Sequence, residues 1–238
     1  MQTGADGLEL DVRLSRDGIP IVHHDPDLDR CTDGRGPVEA LTAAELARVD
    51  AGHHFDAGDG HRWRARGISI PTLDEVLRRY VRAAIIVEIK TYTVAAARAV
   101  ARCVVDAGAA DRVSIAAFDI ATQRAVRACA PSLATGAAQT EVRGALYRSW
   151  MGLRPWRPRY KALHVPETVG RTRIVTRRFV RHLHAAGIPV QVWTVNDEPD
   201  MLRLLDWGVD GLITDRPDLA VAVRDQWMRT RSRIRGKA

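Results

Sequence analysis

The chain has 238 residues, 46% of them apolar and 27% charged, with a mean hydropathy of −0.20, which suits a soluble folded domain and excludes a disordered or membrane-spanning polypeptide. Three widely spaced cysteines, Cys31, Cys103 and Cys129, fit neither a disulfide framework nor a zinc site, and no basic-then-apolar leader opens the chain, so a reduced, cytoplasmic protein is the expectation. The net charge of +7 lies late in the sequence, from Arg154 to Lys237, and could steer an anionic substrate or a phospholipid surface, while nothing resembles a nucleic-acid module.

The first predicted strand, Gly7–Val12, holds Glu9 and Asp11 two positions apart. Side chains at i and i+2 of a strand share a face, so the two acids stand together and Leu10 takes the other side. Adjacent carboxylates repel, and a hard divalent cation with oxygen ligands is the usual resolution. Ser15-Arg16-Asp17-Gly18 is too short for a crossover, so Pro20-Ile21-Val22 should return as the second arm of a hairpin. Counting back from that turn puts His24 opposite Glu9 to within one residue and His23 on the other face. A metal pair beside an imidazole is the core of a metal-assisted hydrolase.

Residues 26–72 form a polar excursion with the turn Thr32-Asp33-Gly34, a short helix near Thr42–Arg48, and a loop, Gly52–Gly67, whose His53, His54 and His61 read as surface residues. Short β-rich runs then alternate with helical patterns, which argues for a parallel α/β fold. The strands are Ile85–Lys90, Val113–Phe118, Leu133–Ala138, Ala162–Pro166, Val190–Val195 and Gly211–Thr214; the helices are Val94–Ala107, Ile120–Ala130, Thr176–Ala186 and Asp197–Trp207. Pro199 starts the last of these, and Gly187 and Gly208 stop the last two. His164 could line the mouth of the fold, Phe118 reads as pocket wall or core, and Asp215 reads as a helix cap. The Trp150–Trp156 region, with arginines between its indoles, is either a peripheral membrane contact or a loop packed on the fold.

Several of these runs, in their order along the chain, resemble the glycerophosphodiester phosphodiesterase family: Gly4 to Arg30 with Cys31-Thr32-Asp33-Gly34, then Ile70-Pro71-Thr72-Leu73-Asp74-Glu75, Val87-Glu88-Ile89-Lys90, Val192-Trp193-Thr194-Val195-Asn196 and Gly211-Leu212-Ile213-Thr214-Asp215-Arg216-Pro217. The resemblance implies a TIM-type (β/α)₈ barrel as a single domain, with the 26–72 excursion as an insertion and a basic tail at about 229–238. It also implies an opening strand ending in His-Arg-Gly and a helix ahead of Gly4, so the chain given is expected to be a barrel without its first strand and helix, with its activity in question. By the same resemblance Glu9, Asp11 and Glu88 are metal ligands, His24 is catalytic, Lys90 contacts phosphate and Trp193 lines the substrate pocket. The implied cofactor is a divalent cation, Mg²⁺ or Ca²⁺. The implied reaction is hydrolysis of a small glycerophosphodiester to glycerol 3-phosphate and an alcohol, in glycerol and lipid metabolism. A lysophospholipid substrate and a non-catalytic phosphate-ester-binding remnant are the alternatives.

Overall fold

The computed structural model describes residues 3–55, 60–153 and 158–235. Trp156, Arg154 and Arg157 of the aromatic segment, part of the Gly52–Gly67 loop and the end of the basic tail lie outside them. The chain divides into two compact units, Leu8–Ala134 and a second made of Met1–Gly7 with Thr135–Ala238.

The first unit opens with β1 (Gly7–Leu14) and β2 (Pro20–Val22), followed by α1 (Ala43–Leu46), α2 (Leu73–Arg79), β3 (Ala84–Ile89), α3 (Val94–Asp106), β4 (Val113–Ala116), α4 (Ile120–Cys129) and the junction strand β5 (Ala134–Thr135). The sheet order is β2-β1-β3-β4-β5. β1 and β2 are antiparallel with Val12 opposite Val22, whereas β3 and β4 are parallel with Glu88 opposite Ala116. The hairpin turn is closed by Ser15, whose hydroxyl accepts from the Ile19 amide at 2.9 Å, and by Gly18 at φ 78°. Val12, Val87 and Ile89 are fully buried. They pack with Ala97, Val100 and Val104, which recur at helical spacing along one side of α3.

The 26–72 excursion has a core of its own. Ile21, Leu28, Val38, Leu46 and Ile70 are buried together, and bridges at Asp27–Pro37 and Asp50–Ser69 tie the loops. Two capping boxes, Thr42 with Glu45 and Thr72 with Glu75, start α1 and α2. The second marks a helix absent from the predicted elements, although Thr72-x-x-Glu75 was its sequence signal.

The second unit contains α5 (Gln139–Trp150), β6 (Leu163–Pro166), the small hairpin β7 (Thr168–Val169) and β8 (Thr172–Arg173), α6 (Arg177–His184), β9 (Val190–Trp193), α7 (Glu198–Trp207), β10 (Gly211–Leu212) and α8 (Pro217–Arg235). β10, β9 and β6 form a parallel sheet in that order. Phe179, Leu183, Leu163, Val190, Met201 and Leu204 fill its core. Gly208 ends α7 at φ 88°, as its position after Trp207 predicts. The basic segment read as a tail is helical through Arg235: Trp227 and Arg231 both donate to Asp206 on α7. Arg224 on α8 holds Asp6 at 2.7 Å and the Gly4 carbonyl at 3.2 Å, which anchors the segment leading into β1. Asp215 accepts a hydrogen bond from the Asn196 amide at 3.0 Å.

His164 on β6 stands opposite Gln191 on β9, and Gln191 stands opposite Gly211 on β10. A Cβ at Gly211 would lie 3.0 Å from Gln191 Cγ, so the glycine gives that side chain its room. The residue His164 is half-buried, but both ring nitrogens are sealed from water and have no partner among the described residues. Burial pushes its pKa down to about 4. The folded state therefore binds the proton less readily than the unfolded chain, whose imidazole titrates near ~6.5. The His164 contribution is fully present above that value and is lost as pH falls towards 4. The expected loss is about 2 kcal/mol between pH 7 and pH 5. Urea unfolding at both pH values should show it in the natural protein and not in His164→Phe; equal losses in the two proteins would remove His164 as the cause.

Candidate active site

The acidic cluster is a product of strand pairing. Glu9 and Asp11 occupy alternate positions of β1, Glu88 lies near the end of the neighbouring β3, and the Lys90 amide donates to the Val12 carbonyl at 2.9 Å, locking the two strand ends together. One ligand oxygen from each of Glu9, Asp11 and Glu88 lies within 4.8 Å of the others. Val12, next after Asp11, and Ile89, between Glu88 and Lys90, are fully buried, and Leu10, between Glu9 and Asp11, packs partly buried against the same core, so β-alternation sends the apolar residues to the core and the acids to the opposite face.

Lys90, two positions after Glu88, reaches into the cluster. Its ammonium lies 3.1 Å from Asp11 Oδ1 and 2.5 Å from Glu88 Oε1, with both side chains of the latter pair about 15–16% exposed. Lys90 and Glu88 thus form a close, largely buried ion pair. Phe118, just past β4, places its ring 5.7 Å from the ammonium. Burial raises the Glu88 pKa and outweighs the opposing effect of Lys90. Burial works against the Lys90 charge, but the Glu88 and Asp11 carboxylates prevail and raise its pKa. Three oxygen donors of this kind suit a hard divalent cation such as Mg²⁺ or Ca²⁺.

His24 lies just beyond β2. The ladder pairs Val12 with Val22, and the His23 amide donates to the Asp11 carbonyl at 2.9 Å, so the register is one residue off the predicted one and brings His23 across from Asp11; the strand itself ends at Val22, and His24 lies beyond the paired residues, where alternation no longer fixes its face. A charge on His24 bears on Glu88, less than Lys90 or Asp11 does. His23 instead bonds the Asp27 carbonyl at 3.1 Å. The His24 backbone is held by Arg13, whose Nε donates to its carbonyl at 2.8 Å.

Three residues near this cluster were not singled out from sequence. Asp25 Oδ1 lies 2.6 Å from His24 Nδ1, and Arg30 grips the same carboxylate through two nitrogens. The Arg30 hydrogen bond holds the Asp25 carboxyl well below the usual carboxylate range, so it stays ionised beside the imidazole. Tyr92, 48% exposed and two residues past Lys90, has its pKa raised by burial and then by the charge of Glu88. The available signals were the His24-Asp25 dipeptide and an arginine five residues on. Trp193 ends β9 in the second unit, and His164 lies on β6 of that unit; neither belongs to the unit that carries the acidic cluster.

The profile of the Glycerophosphoryl diester phosphodiesterase family matches residues 1–219. The glycerophosphodiester phosphodiesterase of Bacillus subtilis is 32% identical over 239 residues, covering 90% of this chain and 75% of the relative. That of Caldanaerobacter subterraneus subsp. tengcongensis is 32% identical over 236 residues, covering 93% and 86% respectively. Among solved structures, a glycerophosphodiester phosphodiesterase from Agrobacterium tumefaciens superposes with a TM-score of 0.73 at 26% identity, covering 93% of this chain and 88% of that one. A phosphodiesterase from Oleispira antarctica, in complex with the product sn-glycerol-3-phosphate, gives a TM-score of 0.73 at 26% identity over 94% of this chain and 87% of that one. The chain therefore belongs to the glycerophosphoryl diester phosphodiesterase family of phosphoric diester hydrolases, and its α/β fold is of the family's TIM-barrel type.

Proposed function

We propose that this chain hydrolyses glycerophosphodiesters to glycerol 3-phosphate and an alcohol, with a divalent cation held by Glu9, Asp11 and Glu88. The observation that carries the reading is the convergence of those three carboxylates within 4.8 Å, beside Lys90 and with a charge on His24 bearing on Glu88. The product complex of the Oleispira relative supports the same substrate class.

A bound Mg²⁺ or Ca²⁺ would supply positive charge to a phosphoryl oxygen as charge develops there. The protein's own groups do the rest. Lys90 presents its ammonium at the edge of the acidic cluster, where it binds the phosphate anion. His24 has Nδ1 committed to Asp25, which leaves Nε2 to carry the proton that the leaving alkoxide needs. Asp25, kept ionised by Arg30, accepts from Nδ1–H and fixes the ring, so that Nε2 is the nitrogen left to exchange a proton with the substrate; it is a positioning residue. Trp193 is retained as a substrate-pocket residue on the family resemblance.

Turnover of glycerophosphocholine, with glycerol 3-phosphate detected enzymatically, tests the reading. Activity should vanish with EDTA and return with Mg²⁺ or Ca²⁺. Phosphate-ester binding without turnover would identify a binding remnant, and exclusive cleavage of lysophospholipids would move the substrate to the lipid class.

Glu88→Gln should weaken divalent-cation binding by at least about tenfold in calorimetry, since it removes one of three anionic ligands. Because the Glu88 pKa is raised, cation affinity should already fall with decreasing pH above the range of an ordinary glutamate. Unchanged affinity in Glu88→Gln would exclude Glu88 from the metal centre.

His24→Ala should cost about 10²–10⁴ in turnover, and His23→Ala far less. Asp25→Asn should lower kcat by about tenfold or more and displace the pH–rate profile, with KM little changed. If His23→Ala were the damaging change, proton transfer would run through the other face of the hairpin.

A further inference from the structure

The chain's charge is unevenly divided. Residues 142–196 contain eleven Lys and Arg against a single acid, Glu167, a net +10 that leaves −3 for all other residues of the +7 chain. Glu167 is itself consumed: Arg203 grips both its oxygens at 2.7 and 2.8 Å, and Arg173 binds it too. In this cationic stretch the end of α5 exposes apolar and aromatic side chains. Tyr147 is 60% exposed, Trp150 49%, Met151 71% and Leu153 42%. Tyr147 and Trp150 meet edge to face at 5.5 Å. Arg178 on α6 closes the patch, donating to the Trp150 carbonyl at 3.0 Å. Arg148 lies on the same rim, three positions before Met151 and so one helical turn from it. Glu141, the nearest acid in sequence before the patch, caps the far end of α5 by accepting from the Ala138 amide at 2.8 Å.

We infer that the Tyr147–Leu153 end of α5 is a docking surface for anionic lipid bilayers. Tyr and Trp rings prefer the boundary between headgroups and acyl chains, Met151 and Leu153 supply apolar surface to insert, and Arg148 and Arg178 meet anionic headgroups. A second copy of the chain fits less well, because a two-fold contact would bring the same arginines face to face without a carboxylate between them. Nucleic acid would be attracted by the arginines but gives Met151 and Leu153 nothing to bury in. α5 follows the end of β5 and precedes the start of β6, so its last turn lies at the end of the second unit's strands opposite to Pro166 and Trp193. A docked protein would turn those strand ends towards water.

The test is sedimentation of the full chain with sucrose-loaded vesicles. Phosphatidylcholine vesicles containing phosphatidylglycerol should pellet the protein, pure phosphatidylcholine vesicles should not, and high salt should release it. Arg148→Glu and the double change Tyr147→Ser with Met151→Ser should each reduce the bound fraction by at least about tenfold in partition coefficient. Tyr147 and Met151 are exposed, so unchanged thermal melting should accompany the loss in the double variant. Absence of pelleting, equal pelleting with both vesicles, or full binding by the variants would overturn the inference. So would a concentration-dependent dimer abolished by Met151→Ser, or salt-sensitive binding to duplex DNA with no binding to vesicles.

Discussion

Three half-buried carboxylates within 4.8 Å of one another cannot persist without a compensating cation, and that electrostatic requirement organises the first unit. Lys90 meets it from within the chain. Its position two residues after Glu88 puts it on the same side of β3, and its amide bond to Val12 ties β3 to the strand that bears the other acids. Past the hairpin a second group of polar contacts follows, His24 with Asp25 and Asp25 with Arg30. In each group a carboxylate is held by a cation, and removing that cation would leave the acid uncompensated.

This arrangement needs rigid support close by, and the 26–72 segment supplies it. Its composition is polar, yet Leu28, Val38, Leu46 and Ile70 close on Ile21 of β2, the strand that leads into His24. The Pro71 carbonyl accepts from the Val22 amide at 2.9 Å, on the side of β2 away from β1. A short edge strand of three residues is thereby paired on both sides, which keeps it from fraying where the imidazole is held.

Much of this was legible in the sequence because strand alternation is a local rule. Glu9, Asp11, Glu88 and Lys90 share faces by parity alone, and the Ser15–Gly18 turn fixed the antiparallel return. The helices Val94–Asp106, Ile120–Cys129 and Glu198–Trp207 were likewise readable from period and caps. What was not legible depended on longer-range contact. The hairpin register differed by one residue because the turn spans Ser15 to Ile19. The role of Asp25 required knowing that Arg30, five residues away, folds back onto it. The end of α8, from residue 229 on, was read as a tail because its basic sequence offers little apolar period, whereas Arg231 there donates to Asp206 on α7 and lies over the Trp227 ring. The regular strands at Leu133–Ala138 and Gly211–Thr214 are two residues each, with hydrogen bonds to the neighbouring strands continuing at Ala137 and Ile213.

The position of Lys90 links stability to the proposed chemistry. In the protein alone its ammonium is spent on Asp11 and Glu88, at 3.1 and 2.5 Å. A divalent cation on those same oxygens would take over that compensation, and the ammonium would be free to turn to an anion at the site's edge. A phosphodiester carries such an anion, and its approach to three bare carboxylates would otherwise be repulsive. Under the proposed function, the same shortage of positive charge that holds Lys90 among the acids would make substrate binding conditional on the metal. It also explains why a lysine, with its flexible stem and compact charge, suits this position better than an arginine, whose rigid fork would stay with the carboxylate pair.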